Sequence, residues 1–244
     1  DNTLFDGTLD FLNYVKSING KYMFLTNNSS KSVEKYVEKL EGLGISAGEE
    51  DFFTSTDATV LYLHKNYPAK KIYAFGTKAF KQQLKNSGIN VVDTLQDDID
   101  CLVIGFDTEL TFQKLEDACI LLNRGVDYIA TNPDWVCPTW YGYVPDCGSV
   151  CEMLYRATKR RPFFIGKPEP AMALLAIEKS GFTPEETLMI GDRIYTDIAC
   201  GKNAGISTAL VLSGEATLAD VEESSVKPDF IFGSIKDIYE ALKE

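Results

Sequence analysis

The feature that most constrains the fold is a repeated alternation of short apolar runs with segments of helical periodicity. The apolar runs are Lys21–Thr26, Lys71–Phe75, Ile99–Ile104, Tyr128–Thr131, Phe163–Ile165, Leu188–Ile190, Ser207–Leu212 and Phe230–Ile231. Between and around them, Thr8–Asn19, the VEKYVEKL stretch after Ser30, and Ala79–Asn86, Leu115–Leu122, Val150–Thr158, Pro170–Ser180, Thr196–Asn203 and Ile235–Leu242 carry apolar residues at helical spacing. Another helix is expected from about Thr54 to Lys65. Strands separated by whole helices cannot close tight hairpins, so they pair in parallel and need helices on both faces. The expected class is α/β. The longest stretch outside the alternation, NPDWVCPTWYGYVPDCG, reads as one Pro/Gly/aromatic loop.

Composition narrows the functional classes. The 244 residues suffice for one large α/β domain or two modest ones. A net charge of −12 without a local basic run argues against nucleic acid and anionic membrane surfaces as partners. No apolar run approaches the roughly 20 residues that span a bilayer, and DNTLFDGTLD lacks the basic and apolar regions of a signal peptide. A cytoplasmic protein is expected; a homo-oligomer is left open. Six cysteines without a CxxC pair and a single histidine, His64, disfavour zinc and redox chemistry.

Three strand ends carry candidate chemistry. LMIGDRIYTD delivers Asp192 to the C-terminal edge of a strand and Asp197 to the start of the next helix, two carboxylates suited to Mg²⁺ and a phosphate. Read alone, the same residues could be a solvated turn and a helix cap. Thr26-Asn27-Asn28-Ser29-Ser30 offers a hydroxyl, amides and helix-start N–H groups to a phosphoryl group, or else is an ordinary N-capping turn. Gly166-Lys167-Pro168 places Lys167 in a tight turn, as a phosphate partner or as one more surface lysine. A common phosphate site accounts for all three together.

The order TNNSS, TNPD, GKPEP, GDRIYTD and GISTALVLSG resembles the haloacid dehalogenase-like hydrolase superfamily, in its NagD-type and 4-nitrophenylphosphatase-like branch, over essentially the whole chain. The resemblance implies a Rossmann-like parallel-sheet core, residues 1–66 and 161–244, with an inserted α/β C2-type cap at 67–160. It implies an Mg²⁺-dependent phosphomonoesterase acting on a small phosphorylated metabolite such as a nucleotide or sugar phosphate. Thr26 and Lys167 would be catalytic and, with Asn27 and Asn28, hold the substrate phosphate; Asp192 would ligate the metal, and Asp197 would support it directly or through water. Trp135, Trp140, Tyr141 and Tyr143 in the cap are candidates for leaving-group contacts.

The family places its nucleophilic and acid/base aspartates in a DxDGT strand ahead of the segment matching DNTLFDG. Asp1 and Asp6 do not reproduce that spacing, and Asp6-Gly7-Thr8 is read as a fragment of similar appearance. The expectation is therefore a chain that hydrolyses phosphate esters poorly without that strand, and an aspartyl-phosphate mechanism with it. The alternatives are a noncatalytic phosphate-binding or regulatory protein and a phosphotransferase.

Overall fold

A computed structural model describes residues 3–30 and 33–243. In chain order its elements are α1 (Thr8–Ser17), β1 (Phe24–Thr26), α2 (Val33–Gly42), β2 (Phe52–Thr54), α3 (Ser55–Asn66), β3 (Ile72–Phe75), α4 (Lys78–Asn86), β4 (Val91–Val92), β5 (Cys101–Ile104), α5 (Phe112–Arg124), β6 (Asp127–Ala130), β7 (Val136–Thr139), β8 (Gly142–Pro145) and α6 (Cys147–Thr158). They continue with β9 (Phe163–Phe164), α7 (Ala171–Ser180), β10 (Leu188–Gly191), α8 (Ala199–Ala204), β11 (Ser207–Val211), α9 (Leu218–Glu223), β12 (Phe230–Phe232) and α10 (Ile235–Ala241). The expected alternation is present, and the class is α/β.

The chain divides into two compact units. One comprises Asp1–Leu25, Tyr36–Phe53 and Lys167–Glu244; the other comprises Thr26–Lys35 and Thr54–Gly166. Residues 26–35 and 54–66, expected with the core, thus cluster with the inserted segment. Part of the reason lies in Ser29, whose hydroxyl is 3.1 Å from Thr131 Oγ1 and accepts the Phe106 N–H at 2.8 Å.

The first unit is built on the parallel sheet β10-β11-β12. Ala173 and Ile177 of α7 pack with Met189 of β10 and Cys200 of α8, while Ile194 and Ile198 pack with Leu210 of β11. The second unit holds the parallel sheet β4-β3-β5-β6-β9. Its strands β3 and β5 are buried along their whole length, which is why they read as unbroken apolar runs. Leu121 and Leu122 of α5 and Leu154 of α6 cover Leu102, Ile104 and Ala130. Each buried leucine or isoleucine side chain contributes about 1.5–3 kcal/mol.

Side-chain caps start the helices where the sequence supplies them. Thr54 Oγ1 accepts the Asp57 N–H while Asp57 Oδ2 accepts the Thr54 N–H, and Thr77 and Thr111 cap α4 and α5 in the simpler way. The long aromatic loop is corrected: Val136–Pro145 forms the antiparallel hairpin β7–β8. Pro138 and Pro145 within its strands suppressed the strand signal, yet a two-stranded ribbon tolerates proline at positions whose N–H makes no ladder bond. Gly142, the first residue after the Trp140-Tyr141 turn, has φ 131°, a conformation that a side chain would resist.

Candidate active site

The strand β10 ends at Gly191, and the chain then winds through a wide turn, Ile194–Ile198, before α8 begins. That turn brings Asp197 back against the strand end. A Cβ on Gly191 would lie 2.2 Å from Asp197 Cβ, so only glycine permits the approach. Asp197 is buried, and both of its oxygens are engaged: Oδ1 accepts from Lys167 Nζ at 2.6 Å and Oδ2 from the Arg193 N–H at 3.2 Å. Lys167 also donates to the Leu25 carbonyl at 3.1 Å, one residue before Thr26. Lys167 and Asp197, 30 residues apart in sequence, are thereby joined as a buried ion pair.

Asp192 is held differently. Its Oδ2 accepts the Glu215 N–H at 3.0 Å, and its carbonyl accepts the Ala216 N–H at 3.0 Å. Gly214 makes room for this, since a Cβ there would lie 2.1 Å from Asp192 Oδ2. The Glu215 carboxylate is in turn clamped by Arg193 Nε at 2.7 Å and Tyr195 Oη at 3.0 Å. Glu215 was not among the candidates, and Gly214 entered only as the last residue of GISTALVLSG, with no role assigned to it.

The Thr26–Ser30 turn is organised within the second unit. Thr26 Oγ1 accepts the Asn28 N–H at 3.2 Å, and Asn28 Oδ1 accepts the N–H and hydroxyl of Ser30 at 2.9 and 2.7 Å. Asn27 is buried; its Nδ2 donates to Asp134 Oδ1 at 3.2 Å, and its carbonyl receives Ser55 Oγ and Asn132 Nδ2. A Cβ on Gly166 would come within 2.6 Å of Asn27 Oδ1, so the glycine of GKP is shaped by the asparagine of TNN.

Among the described residues no group of three or more His, Cys, Asp or Glu side chains could by itself hold a metal ion. The donor set nevertheless fits Mg²⁺: Asp192 Oδ1 accepts no hydrogen bond from the described residues, and Mg²⁺ is commonly bound by one or two carboxylates with water and substrate phosphate. Asp197, with both oxygens committed, fits a supporting place beside it.

The remaining candidates fall elsewhere. Trp135, Trp140, Tyr141 and Tyr143 are exposed on or beside the β7–β8 hairpin, Trp140 to 88%. His64 Nε2 bonds the Ser87 carbonyl at the surface. Asp6 is exposed and paired with Lys236 at 2.8 Å, whose ammonium holds its carboxyl below the usual range; Asp1 lies outside the described residues. All six cysteines are free.

The sequence profile of haloacid dehalogenase-like hydrolases matches residues 1–90, and a HAD-hydrolase-like profile matches residues 164–238. An acid sugar phosphatase of Staphylococcus aureus is 34% identical over 239 residues, covering 98% of this chain and 90% of that protein. The structure of a 4-nitrophenylphosphatase from Thermotoga maritima superposes with a TM-score of 0.93 at 40% identity, over 99% of this chain and 92% of the other. That of NagD from E. coli gives 0.87 at 30%, over 97% and 92%. No helix among the described residues is long and apolar enough to cross a membrane. With motifs, fold and relatives in agreement over nearly its whole length, the chain belongs to the haloacid dehalogenase-like hydrolase superfamily, in the branch of NagD and the 4-nitrophenylphosphatases.

Proposed function

We propose that the protein is an Mg²⁺-dependent phosphomonoesterase of the cytoplasm acting on a small phosphorylated metabolite, with a sugar phosphate as the first candidate and a nucleotide as the second. The observation that carries the reading is the buried Lys167–Asp197 pair at the end of β10, immediately beyond Asp192. An ammonium held at that depth by a carboxylate and a carbonyl is a fixed positive charge for phosphoryl oxygens, and it needs no reorganisation as charge develops in the transition state. The name of the Staphylococcus relative favours sugar phosphates.

In this reading Asp192 would hold the metal, and Asp197 fixes Lys167 and the strand end. Bound there, Mg²⁺ would neutralise phosphate charge. By the family resemblance Thr26 and Asn28 would supply donors to the phosphoryl oxygens, and Asn27 keeps their turn in place. The attacking carboxylate belongs to the family's DxDGT strand, which residues 1–244 do not include. Attack by that carboxylate on phosphorus expels the alcohol and gives an aspartyl-phosphate, and water then releases inorganic phosphate.

The test is phosphate release from sugar phosphates, nucleotides and 4-nitrophenyl phosphate by the polypeptide carrying that strand, with and without Mg²⁺. Activity should require the metal and fall at least about 100-fold in Asp192→Ala. Full activity of Asp192→Ala without added metal would overturn the assignment. Transfer of the phosphoryl group to added alcohols in preference to water would establish a phosphotransferase instead.

A further inference from the structure

The second unit contains a crevice that the reaction above does not use. Its sheet runs β4-β3-β5-β6-β9, so the chain leaves β3 toward β4 on one side and leaves β5 toward β6 on the other. Between β3 and β5 the direction of winding reverses. In open parallel sheets such a reversal opens a crevice beyond the carboxyl ends of the two strands, where ligands commonly bind. Here it is a cavity of about 400 Å³ lined by Gly76, Lys78, Lys81, Glu109, Thr111 and Lys114. The helices α4 and α5 both start at this edge, at Lys78 and Phe112, with their N-terminal partial positive charge toward it.

The three lysines are not equivalent. Lys114 is structural: its ammonium bonds Asp107 Oδ2 at 2.6 Å and the carbonyls of Gly76 and Glu109 at 3.1 and 3.0 Å. Lys78 is exposed and its ammonium has no acceptor among the described residues. Lys81 is the telling one. Its side chain is only 17% exposed, and the nearest carboxylate, Asp93, is 4.0 Å away and already bonded at 2.5 Å by Lys85. Burial and then the charge of Lys114 push its pKa below the ordinary lysine value. An ammonium largely withdrawn from water, with only a long ion pair to a shared carboxylate, is under-solvated, and an anion in the crevice would relieve it.

A carboxylate of the chain itself already sits there. Glu109 Oε2 accepts the Lys78 N–H, the first of α4, at 3.1 Å, so this helix end is shown to take an anionic oxygen. A phosphate group offers more oxygens and more charge than one glutamate, matching the Lys78 ammonium, the weakly paired Lys81 ammonium and a helix N-terminus.

We propose that the β3/β5 crevice is a second anion site, which binds a phosphate group, free or esterified, through Lys78 and Lys81, with Glu109 giving up its place on α4. None of its residues belongs to the candidate active site, so the proposal does not depend on the assigned reaction.

The experiment is an amide NMR titration of the chain with inorganic phosphate and, separately, glycerol 3-phosphate, against sodium chloride at matched ionic strength. Saturable shifts are expected at Gly76, Lys78, Ala79, Thr111 and Phe112; which probe gives them distinguishes free from esterified phosphate. In Lys81→Met, which keeps the buried stem, affinity should fall about tenfold, the effect of one charge-assisted hydrogen bond. Lys81→Arg should retain binding and so controls for folding. Glu109→Gln should tighten binding about threefold by removing the internal competitor. Absence of saturable shifts at those amides, equal binding by Lys81→Met, or weaker binding by Glu109→Gln would each overturn the proposal.

Discussion

Lys167 Nζ lies 2.6 Å from Asp197 Oδ1, with only 11% and 9% of the two side chains exposed. Each is therefore the other's main substitute for water, and removing one strands the other. Lys167→Met should destabilise the fold by about 3–5 kcal/mol, because it leaves a buried carboxylate unpaired. The double variant Lys167→Met, Asp197→Asn should recover most of that loss while phosphate binding at the candidate active site stays abolished. Urea midpoints of the two single variants and the double variant, closed into a thermodynamic cycle, check the coupling. A double variant no more stable than Lys167→Met alone would contradict it.

Asp192 depends on a residue without a side chain. At Gly214 a Cβ would meet Asp192 Oδ2 at 2.1 Å, so in Gly214→Ala either the carboxylate or the loop carrying Glu215 must move. Mg²⁺ affinity measured by calorimetry should fall at least about tenfold, with far-UV circular dichroism unchanged. Unaltered Mg²⁺ affinity in Gly214→Ala would remove Asp192 from the metal site.

These two relationships mark where sequence reading reaches and where it stops. The strands β3, β5 and β6 were legible because burial on both faces leaves continuous apolar runs, and Lys167, Asp192 and Asp197 because each follows such a run. The donors that hold Asp192 were not, because Glu215 contributes a backbone N–H from 23 residues away and Gly214 contributes only space. Every residue carries an N–H, so composition does not single out the one that matters. The β7–β8 hairpin was missed for a related reason: Pro138 and Pro145 argue locally against strands, and only pairing across the Trp140-Tyr141 turn overrides them. The anion crevice depends on strand order, and residue types alone do not reveal which neighbour β3 and β5 choose.

A pH dependence follows from Asp229 at the start of β12. The Lys202 ammonium, then the hydroxyl and backbone N–H of Thr208, hold its carboxyl below the usual range. A carboxyl whose pKa is depressed in the fold stabilises it above the unfolded-state value, about 3.9, and loses that contribution as pH falls through the folded value. Asp229→Asn should therefore lower stability at pH 7 by about 1 kcal/mol, a modest figure because solvent screens a partly exposed pair. The gap between variant and parent should close below about pH 4. A gap that persists undiminished at pH 3, in thermal melts at constant ionic strength, would show that packing rather than charge is responsible.

Thiol chemistry should report the packing of the two sheets. Cys119 and Cys137 are half-buried, whereas Cys101, Cys147, Cys151 and Cys200 are buried. The thiolate is the reactive form, and burial raises the pKa of the Cys200 thiol to about 11, while the Cys101 and Cys147 thiols are pushed up further by the same cause. At pH 8 these thiols are therefore both shielded and protonated. An alkylating reagent should modify Cys119 and Cys137 in the native chain and the other four only with denaturant present, as read by peptide mass mapping. Because Cys147 and Cys151 lie under the sheet in the second unit and Cys200 under that in the first, the denaturant concentration that releases each also orders the unfolding of the two units. Labelling of Cys147 or Cys200 in the native chain at a rate matching Cys137 would contradict the packing described for that unit.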